Sequence, residues 1–564
     1  MLSSDKKVVQ LLIDQCHMYG VRSVVISPGS RNAPLSIAFD EHPAIQTYVV
    51  HDERSAAFFA LGMSEELNEP IALCCTSGSA ALNYFPAVAE AYYRCIPLIV
   101  ITADRPSEWI NQGDGQTIMQ QHVFGNHVRY STNLGDADFS ANKQWKYQLE
   151  TALAFNSALS TWKGPIHFNV SLSEPLYNSV EKTTEYGRKI TQVSTQIDWN
   201  QEFSNFIQLG LESEKILVLC GQMPKSEILQ IALIEFAKRD NVAILTDNTA
   251  NLSSELFNNC IDRSIHGMLE TDKENLSPTL LITLGGAIVS KNIKNFIRKY
   301  PPNQHWRLGY HFPGMDTYQC LSHELPIQPE LFFQKLSEGE KTLTNSTYNK
   351  LWKSIDKDKR HKAEFYAPNS SSLSDLLIFK TIFELIPDSI VLHMSNSSVI
   401  RYCQLFDTNT TIDYRANRGT SGIDGSTSTA LGAAVANPNR QHLLITGDIS
   451  FAYDSNALWN KYVPKNLKII VINNQGGGIF RIIPGSSTSK QLNPYFEAEH
   501  DQQAAKIAAA YGLSHATIKD QNTLFDQLQT FLTTTYPEAS LLEIFSDSKE
   551  NPIQFQAYFN FLTS

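Results

Sequence analysis

Several things are scarce or missing in these 564 residues. No run approaches the roughly 20 consecutive apolar residues that a membrane-spanning helix needs, so no membrane span is expected. Positive charge is not in excess: 46 Lys and Arg stand against 57 Asp and Glu, a formal net charge of -11. That balance argues against nonspecific binding to nucleic acid or to an anionic membrane. It leaves room for small anionic ligands held by local arginines. The eight cysteines, at 16, 74, 75, 95, 220, 260, 320 and 403, form no CxxC pair. Their spacing suggests neither zinc nor a disulfide scaffold, and reduced thiols in a cytoplasmic protein are the expectation. The N-terminus lacks the order of basic, apolar and small residues that marks a signal peptide. It reads instead as an amphipathic helix with a Ser-Ser-Asp start. A strand-linked GxGxxG, short repeats and low-complexity tails are also missing.

What is present is an ordinary globular composition, 42% apolar and 18% charged, long enough for two to four domains. The first part alternates short apolar runs with helical ones. Strands are expected at Ser23–Ile26, Thr47–Val50, Ile71–Thr76 and Pro97–Thr102, the last closing the series. Helices are expected at Lys6–Tyr19, Ala56–Gly62 and Ala80–Tyr93. The last part repeats the rhythm, with strands at Ile390–Met394, His442–Thr446, Leu467–Ile472 and Ser540–Phe545. Helices there are expected at Thr427–Ala436, Ser455–Lys461 and Gln502–Tyr511. Between them, Ile216–Cys220, Val242–Thr246 and Leu280–Leu284 read as a third set of strands, flanked by the polar stretches Ser179–Ser194 and Glu338–Asn349. The expected fold class is α/β, with three doubly wound parallel-sheet domains at 1–184, 185–345 and 346–564.

The most informative residues follow two apolar runs near the C-terminus. Gly447-Asp448-Ile449-Ser450 comes first and Asn473-Asn474-Gln475-Gly476-Gly477-Gly478 second. Asp448 offers a carboxylate, Asn474 a side-chain carbonyl and Gly476 a backbone carbonyl. These hard oxygen donors suit Mg²⁺ or Mn²⁺. Glycines such as Gly447 let a backbone approach a diphosphate, and a helix beginning beyond Ser450 would add amide donors. The plainer alternative is a pair of polar turns. The combination resembles the thiamine-diphosphate-binding motif, with Ile449 where many relatives have a second glycine.

That resemblance implies a partner carboxylate in the N-terminal part. Glu53 follows a strand and heads an apolar helix, and in this superfamily such a glutamate hydrogen-bonds the aminopyrimidine and activates the cofactor. An acid complementing the helix dipole is the competing reading. The superfamily also implies active sites between subunits of a homodimer or homotetramer.

Four further segments narrow the family. They are Ser27-Pro28-Gly29-Ser30-Arg31-Asn32, His51-Asp52-Glu53-Arg54, Thr102-Ala103-Asp104-Arg105-Pro106 and Arg418-Gly419-Thr420-Ser421-Gly422-Ile423-Asp424-Gly425. With the two C-terminal motifs they resemble the 2-succinyl-5-enolpyruvyl-6-hydroxy-3-cyclohexene-1-carboxylate synthases of menaquinone biosynthesis. The resemblance implies decarboxylation of 2-oxoglutarate and conjugate addition of the resulting succinyl carbanion to isochorismate. It implies that Arg31, Arg105, Lys291 and Arg418 engage the isochorismate carboxylates, that Ser397 and Arg401 hold the carboxylate of the other substrate, and that Ser30 and Gln116 are further substrate-binding candidates. Ile423 and Phe480 would support the cofactor, an ordinary core role being equally compatible. Each arginine taken singly also fits a structural ion pair. Gly115 stands where many relatives have Asn, which puts one polar contact in doubt. Another thiamine-diphosphate decarboxylase or carboligase, such as an acetolactate synthase, is the alternative; it would not require the arginine set.

Overall fold

The computed structural model describes residues 1–192, 199–310, 312–338, 346–368, 372–483 and 485–564. The chain divides into two compact units. One is Met1–Ser194 with Asn417–Leu444 and Ser450–Lys468; the other is Thr195–Ala416 with Ile445–Ile449 and Ile469–Ser564.

The first unit holds β1 (Leu2–Ser4), β2 (Ser23–Ser27), β3 (Gln46–Val49), β4 (Ile71–Cys75), β5 (Leu98–Asp104), β6 (Tyr130–Gly135), β7 (Ile166–Ser171) and β8 (Ser179–Glu181). Six of these form one sheet, ordered β3-β2-β4-β5-β7-β6 and parallel throughout. β2, β4 and β5 are buried along their whole length. That explains why they read as unbroken apolar runs: helices cover a parallel sheet on both faces. The series does not close at β5. β7 and the edge strand β6 continue it, and β6 escapes a sequence reading because Tyr-Ser-Thr-Asn-Leu-Gly is largely polar and partly exposed.

Four local expectations need correction. The Ser-Ser-Asp start is not a helix cap, because Leu2–Ser4 pairs antiparallel with β8 and the helix begins at Lys7. Nor does the polar side of that helix face solvent: every residue from Val8 to Cys16 is buried, and Gln10, Asp14 and Gln15 are held by hydrogen bonds within the fold. The single helix Ala80–Tyr93 is two, Ser79–Asn83 and Phe85–Arg94. Pro86 cannot donate to the preceding turn but fits the first turn of a new helix. Ser455–Lys461 forms only a 3₁₀ turn, Ser455–Leu458. There Asn460 Nδ2 bonds the Ala457 carbonyl, a local bond that competes with a helix, while Asn456 Nδ2 is drawn to Asp52, 404 residues away in the chain.

The helices Glu53–Leu67 and Ser426–Ala436 cross in this unit at two glycines. A methyl group at Gly62 would lie 2.0 Å from the Thr429 carbonyl oxygen, and one at Gly432 would lie 2.0 Å from that of Phe59. Only glycine lets the two backbones come this close.

The second unit holds a five-stranded sheet of β9 (Ile216–Cys220), β10 (Val242–Thr246), β11 (Leu280–Leu284), β12 (Gln304–Leu308) and β13 (His323–Leu325), ordered β10-β9-β11-β12-β13 and parallel. The C-terminal strands are β14 (Val391–Met394), β15 (Asp413–Arg415), β16 (His442–Gly447), β17 (Leu467–Asn473), β18 (Ser514–Ile518) and β19 (Ser540–Phe545). Their order is β15-β14-β16-β17-β19-β18. The short β12, β13, β15 and β18 were not expected. The proposed border at 345 and residues 193 and 194 of the first polar stretch lie outside the described residues. The helix Tyr348–Phe365, beyond that border, buries Tyr348 and Trp352 in one cluster with Leu217 and Leu281 of the central sheet. Among the described residues no helix is long and apolar enough to cross a membrane.

The N-terminal and C-terminal sheets share one strand order, second-first-third-fourth-sixth-fifth, and the central sheet begins the same way. Each therefore reverses direction between its first and third strands. Ligands of open α/β sheets bind outside the carboxyl ends of the strands at such a switch point.

Candidate active site

In the first unit the switch point lies between β2 and β4. The loop after β2 is held by Asn32, whose Oδ1 accepts from Gly29 N (2.8 Å) and whose Nδ2 donates to Ser27 O (3.0 Å). Gly29 is required there, since a methyl group would fall 2.4 Å from Thr76 Cβ at the end of β4. Ser30 is exposed, whereas Arg31 turns inward and is 5% exposed. Its guanidinium donates to Leu172 O at 2.9 Å and to Glu174 at 3.4 Å. Burial, then the nearby charge of Arg105, lowers its pKa.

Arg105 follows β5. It donates to Gly115 O at 3.1 Å, pairs with Asp114 at 3.1 Å and leaves its Nε unpartnered. It thereby folds the loop carrying Gly115 and Gln116 back toward the sheet. Gln116, exposed and at φ 55°, comes to rest against Gly78, where an added methyl would meet its Cα at 3.2 Å. Gly115 faces open space, with nothing within 4 Å of an added methyl.

Glu53 opens the helix Glu53–Leu67, capped by Asp52 Oδ1 on Ser55 N at 3.0 Å. It is half-buried, and its charge helps raise the pKa values of buried Cys75 and Tyr84 above their usual ranges, after desolvation. Among the described residues no hydrogen bond or ion pair holds its carboxylate. The Arg418 segment is shaped by the fully buried Glu90. One carboxylate oxygen accepts from Gly419 N (2.9 Å), the other from Thr420 N (2.6 Å) and Oγ1 (2.8 Å). Arg418 is half-buried, and half-buried Ile423 accepts from Ser450 Oγ at 2.6 Å.

The second unit carries the other set. Asp448 follows β16 and begins the short helix Asp448–Tyr453, so the helix starts before Ser450 and not beyond it. Its Oδ1 accepts from Ile449 N (2.7 Å) and its Oδ2 from Gly476 N (3.0 Å), with His500 Nε2 at 3.4 Å. The Asp448 contact raises the pKa of His500. Asn474 is 7% exposed, and its Oδ1 is buried with no partner. An unsatisfied buried carbonyl costs about 1–3 kcal/mol, which a ligand can recover. Beneath them Asp375 is buried, its pKa lifted to about 6 by desolvation with a further rise from Asp448. Gly476 is fixed by its approach to the Glu497 carbonyl, 2.7 Å from an added methyl, while Gly447 faces open space. Phe480 is half-buried, its ring 5.5 Å from that of Phe496.

The same unit brings Ser397, Arg401 and Lys291 into one neighbourhood. Ser397, at φ 72° just after β14, accepts from Arg401 Nη1 at 2.6 Å. Burial lowers the pKa of Arg401 and the charge of Asp262 opposes that shift. Asp262 in turn accepts from Ser290 at 2.5 Å and Asn292 at 3.0 Å, the residues flanking Lys291. Lys291 is exposed in the first turn of the helix Lys291–Lys299, where the helix dipole disfavours a cation.

Sequence reasoning missed three features: Asp375 below Asn474, His500 beside Asp448, and the orphaned buried hydroxyls of Thr76 and Ser77 at the end of β4. Only the serine and threonine run after β4 pointed to the last. Taken together, the second unit offers hard oxygen donors with one lone pair unspent. The first offers a half-buried carboxylate and clustered guanidinium groups.

Comparison with known proteins bears on both sets. The family described as thiamine pyrophosphate enzyme, N-terminal TPP binding domain, matches residues 6–127, and the corresponding C-terminal TPP binding domain matches residues 394–544. Proteins named 2-succinyl-5-enolpyruvyl-6-hydroxy-3-cyclohexene-1-carboxylate synthase are similar over nearly the full length. Those of Flavobacterium johnsoniae and Flavobacterium psychrophilum are each 42% identical, over 99% of this chain and 99% of theirs. That of Porphyromonas gingivalis is 37% identical, over 99% of this chain and 98% of its own.

Proposed function

This chain belongs to the family of 2-succinyl-5-enolpyruvyl-6-hydroxy-3-cyclohexene-1-carboxylate synthases within the thiamine pyrophosphate enzymes, and from that premise we propose that it decarboxylates 2-oxoglutarate and joins the succinyl unit to isochorismate in menaquinone biosynthesis. The observation that carries the site reading is the buried, unpartnered Asn474 Oδ1 two residues from Gly476, whose amide bonds Asp448. A divalent ion, Mg²⁺ or Mn²⁺, suits that donor set, with Asp448, Asn474 and the Gly476 carbonyl as its protein ligands. The open space at Gly447 supports a diphosphate beside it. The chemistry supplied by bound thiamine diphosphate is a carbon nucleophile and an electron sink for the decarboxylation.

The chain's own residues orient and neutralise. Glu53, whose carboxylate has no partner among the described residues, shares a proton with the pyrimidine ring. Its half-buried position makes that exchange less dependent on bulk water. Arg31, Arg105, Lys291 and Arg418 engage the isochorismate carboxylates, Arg401 with Ser397 holds the carboxylate derived from 2-oxoglutarate, and Ser30 and Gln116 serve as further substrate contacts. The orphaned Arg105 Nε and the dipole-opposed Lys291 support unspent binding capacity. Ile423 and Phe480 support the cofactor rings. We retain domains at 1–184, 185–345 and 346–564 on the strength of the three sheets. A homodimer or homotetramer is supported by exposed Leu82, Phe85 and Tyr93 on consecutive helices. The eight free cysteines support a cytoplasmic location.

The test is to incubate the protein with thiamine diphosphate, Mg²⁺ and 2-oxoglutarate, with and without isochorismate. Carbon dioxide release and isochorismate absorbance are followed together. One-to-one coupling, with the adduct verified by mass, is expected. Decarboxylation without isochorismate loss would move the activity to another carboligase or decarboxylase.

A further inference from the structure

We propose that His305, Asp316 and Cys320 form a binding site for one soft divalent cation of the Zn²⁺ class on the central sheet, separate from the oxygen donors around Asp448. His305 lies on β12 and is 1% exposed; its Nε2 sits 2.9 Å from Thr283 Oγ1 on the adjacent β11. With the hydroxyl accepting, the proton sits on Nε2 and the Nδ1 lone pair turns outward; a metal on Nδ1 selects that tautomer. A carbonyl, carboxylate or hydroxyl on the far ring nitrogen does the same in metal-bound histidines. Nδ1 then faces Cys320 Sγ at 3.8 Å and Asp316 Oδ1 at 4.0 Å. All three ligand atoms lie within 4.8 Å of one another. The edges of a tetrahedral zinc site with bonds of about 2.0–2.3 Å are ~3.3–3.7 Å long, so the His305–Cys320 edge needs to close by a few tenths of an ångström and the carboxylate of Asp316 has to swing in by roughly an ångström.

The loop that brings these groups together is fixed at both ends of the cluster. Cys320 N donates to Asp316 Oδ1 at 3.0 Å, so the two side chains share one turn. Two residues on, Ser322 is pinned to β12: its N donates to His305 O at 3.0 Å, and its Oγ accepts from His305 N at 2.9 Å. Burial holds His305 down to about 4, so its imidazole is neutral and its lone pair is free for a metal near neutral pH. Burial and Asp316 push the Cys320 thiol up to about 11. The thiol is therefore protonated and unreactive without metal, and binding releases that proton to solvent as the sulfur–metal bond forms. Thiolate and carboxylate together cancel the charge of the ion. Arg307, close enough to depress His305, subtracts from the attraction. Asp316 is exposed and Cys320 half-buried, which gives the ion an entry path and leaves its fourth position to water. Imidazole and thiolate donors select Zn²⁺ over Mg²⁺, which the oxygen set around Asp448 favours.

Cobalt distinguishes this site from the oxygen donors. The full-length protein, in excess Mg²⁺ and a non-thiol reductant, is titrated with Co²⁺. The expected result is one equivalent per chain that gives intense tetrahedral visible bands and a near-ultraviolet sulfur-to-cobalt charge-transfer band. Cys320→Ser should abolish the charge-transfer band while circular dichroism is unchanged. His305→Gln should weaken binding by about 100-fold or more, the upper range for lost supporting groups around a metal. Absence of the charge-transfer band in the parent protein would overturn the proposal, leaving a thiol–imidazole contact only. So would its survival in Cys320→Ser. Should Cys320→Ser fail to fold, Asp316→Asn, on the exposed loop, serves instead: an unchanged Co²⁺ affinity there would equally overturn it.

Discussion

At the switch point of the N-terminal sheet the loops after β2 and β4, with Arg105 one strand further on, present guanidinium groups and unsatisfied hydroxyls. At the matching point of the C-terminal sheet the ends of β14 and β16, with Asn474 one strand further on, present hydroxyl, carboxylate and amide oxygens. The strand order is the same in both. Topology chooses the place, and the residues at the strand ends choose the charge of what can bind there. The central sheet repeats the opening of that order but seals its switch point. Gly221 N donates to Leu284 O at 2.9 Å and Gly286 N to Gln222 O at 2.7 Å. A methyl group on Gly221 would lie 2.1 Å from the Gly286 carbonyl oxygen, so the two loops touch backbone to backbone. Glycines after a strand leave open space at Gly447 in one sheet and bring two backbones together at Gly221 and Gly286 in another.

That contrast can be broken most severely at Glu53. Glu53→Gln keeps the shape and removes the ionisable proton carrier; kcat should fall by about 10²–10⁴, the usual worth of a positioned acid–base group. Exchange of the cofactor C2 proton, followed by NMR, should slow in parallel while cofactor affinity changes far less. Unaltered exchange would reduce Glu53 to a helix-dipole acid. Next, Asp448→Ala should weaken the divalent ion, and thiamine diphosphate with it, by about 100-fold or more, read by isothermal titration at fixed Mg²⁺. An equal loss on both sides of the comparison, in Arg105→Ala as well, would mean that the two strand-end sets are not chemically specialised.

The cationic side is sharpened by Arg418→Ala. Losing a charged hydrogen-bond partner worth about 1.5–3 kcal/mol should raise the KM for isochorismate roughly 10- to 100-fold and leave cofactor binding intact. The sealed central switch point predicts a different signature. Gly221→Ala should destabilise the fold by about 1–3 kcal/mol through overpacking, measured by urea unfolding, with both substrate KM values unchanged. A shift in KM there would show that the central crevice communicates with catalysis. The smallest effect belongs to Gly115→Asn. The added side chain meets open space, so stability should stay within about 0.5 kcal/mol, and any gain in isochorismate affinity would report a new polar contact.

Some of this was legible from the residues because it depends on short range order. Fully buried parallel strands such as β4, Ile-Ala-Leu-Cys-Cys, must be apolar along their whole length, so they stand out. The polar loops that follow them stand out by contrast, and with them Asp448, Asn474 and the Arg31 and Arg105 segments. β6 did not, because an edge strand tolerates polar residues. Nor did the break at Tyr84 or the strand made by Leu2–Ser4, whose partner lies at Ser179–Glu181.

The sequence by itself determined where strands end and which oxygen or cationic groups sit there, since those follow from periodicity and residue chemistry within a few positions. Tertiary structure alone decided which of those groups remain unspent. Arg31 is partly consumed by Leu172 and Glu174, Glu90 is spent on holding the Arg418 loop, and Asn474 Oδ1 is left without a partner. Those partners lie far away in the chain, and a hydrogen bond is fixed by distance in space, which no local pattern of residues records.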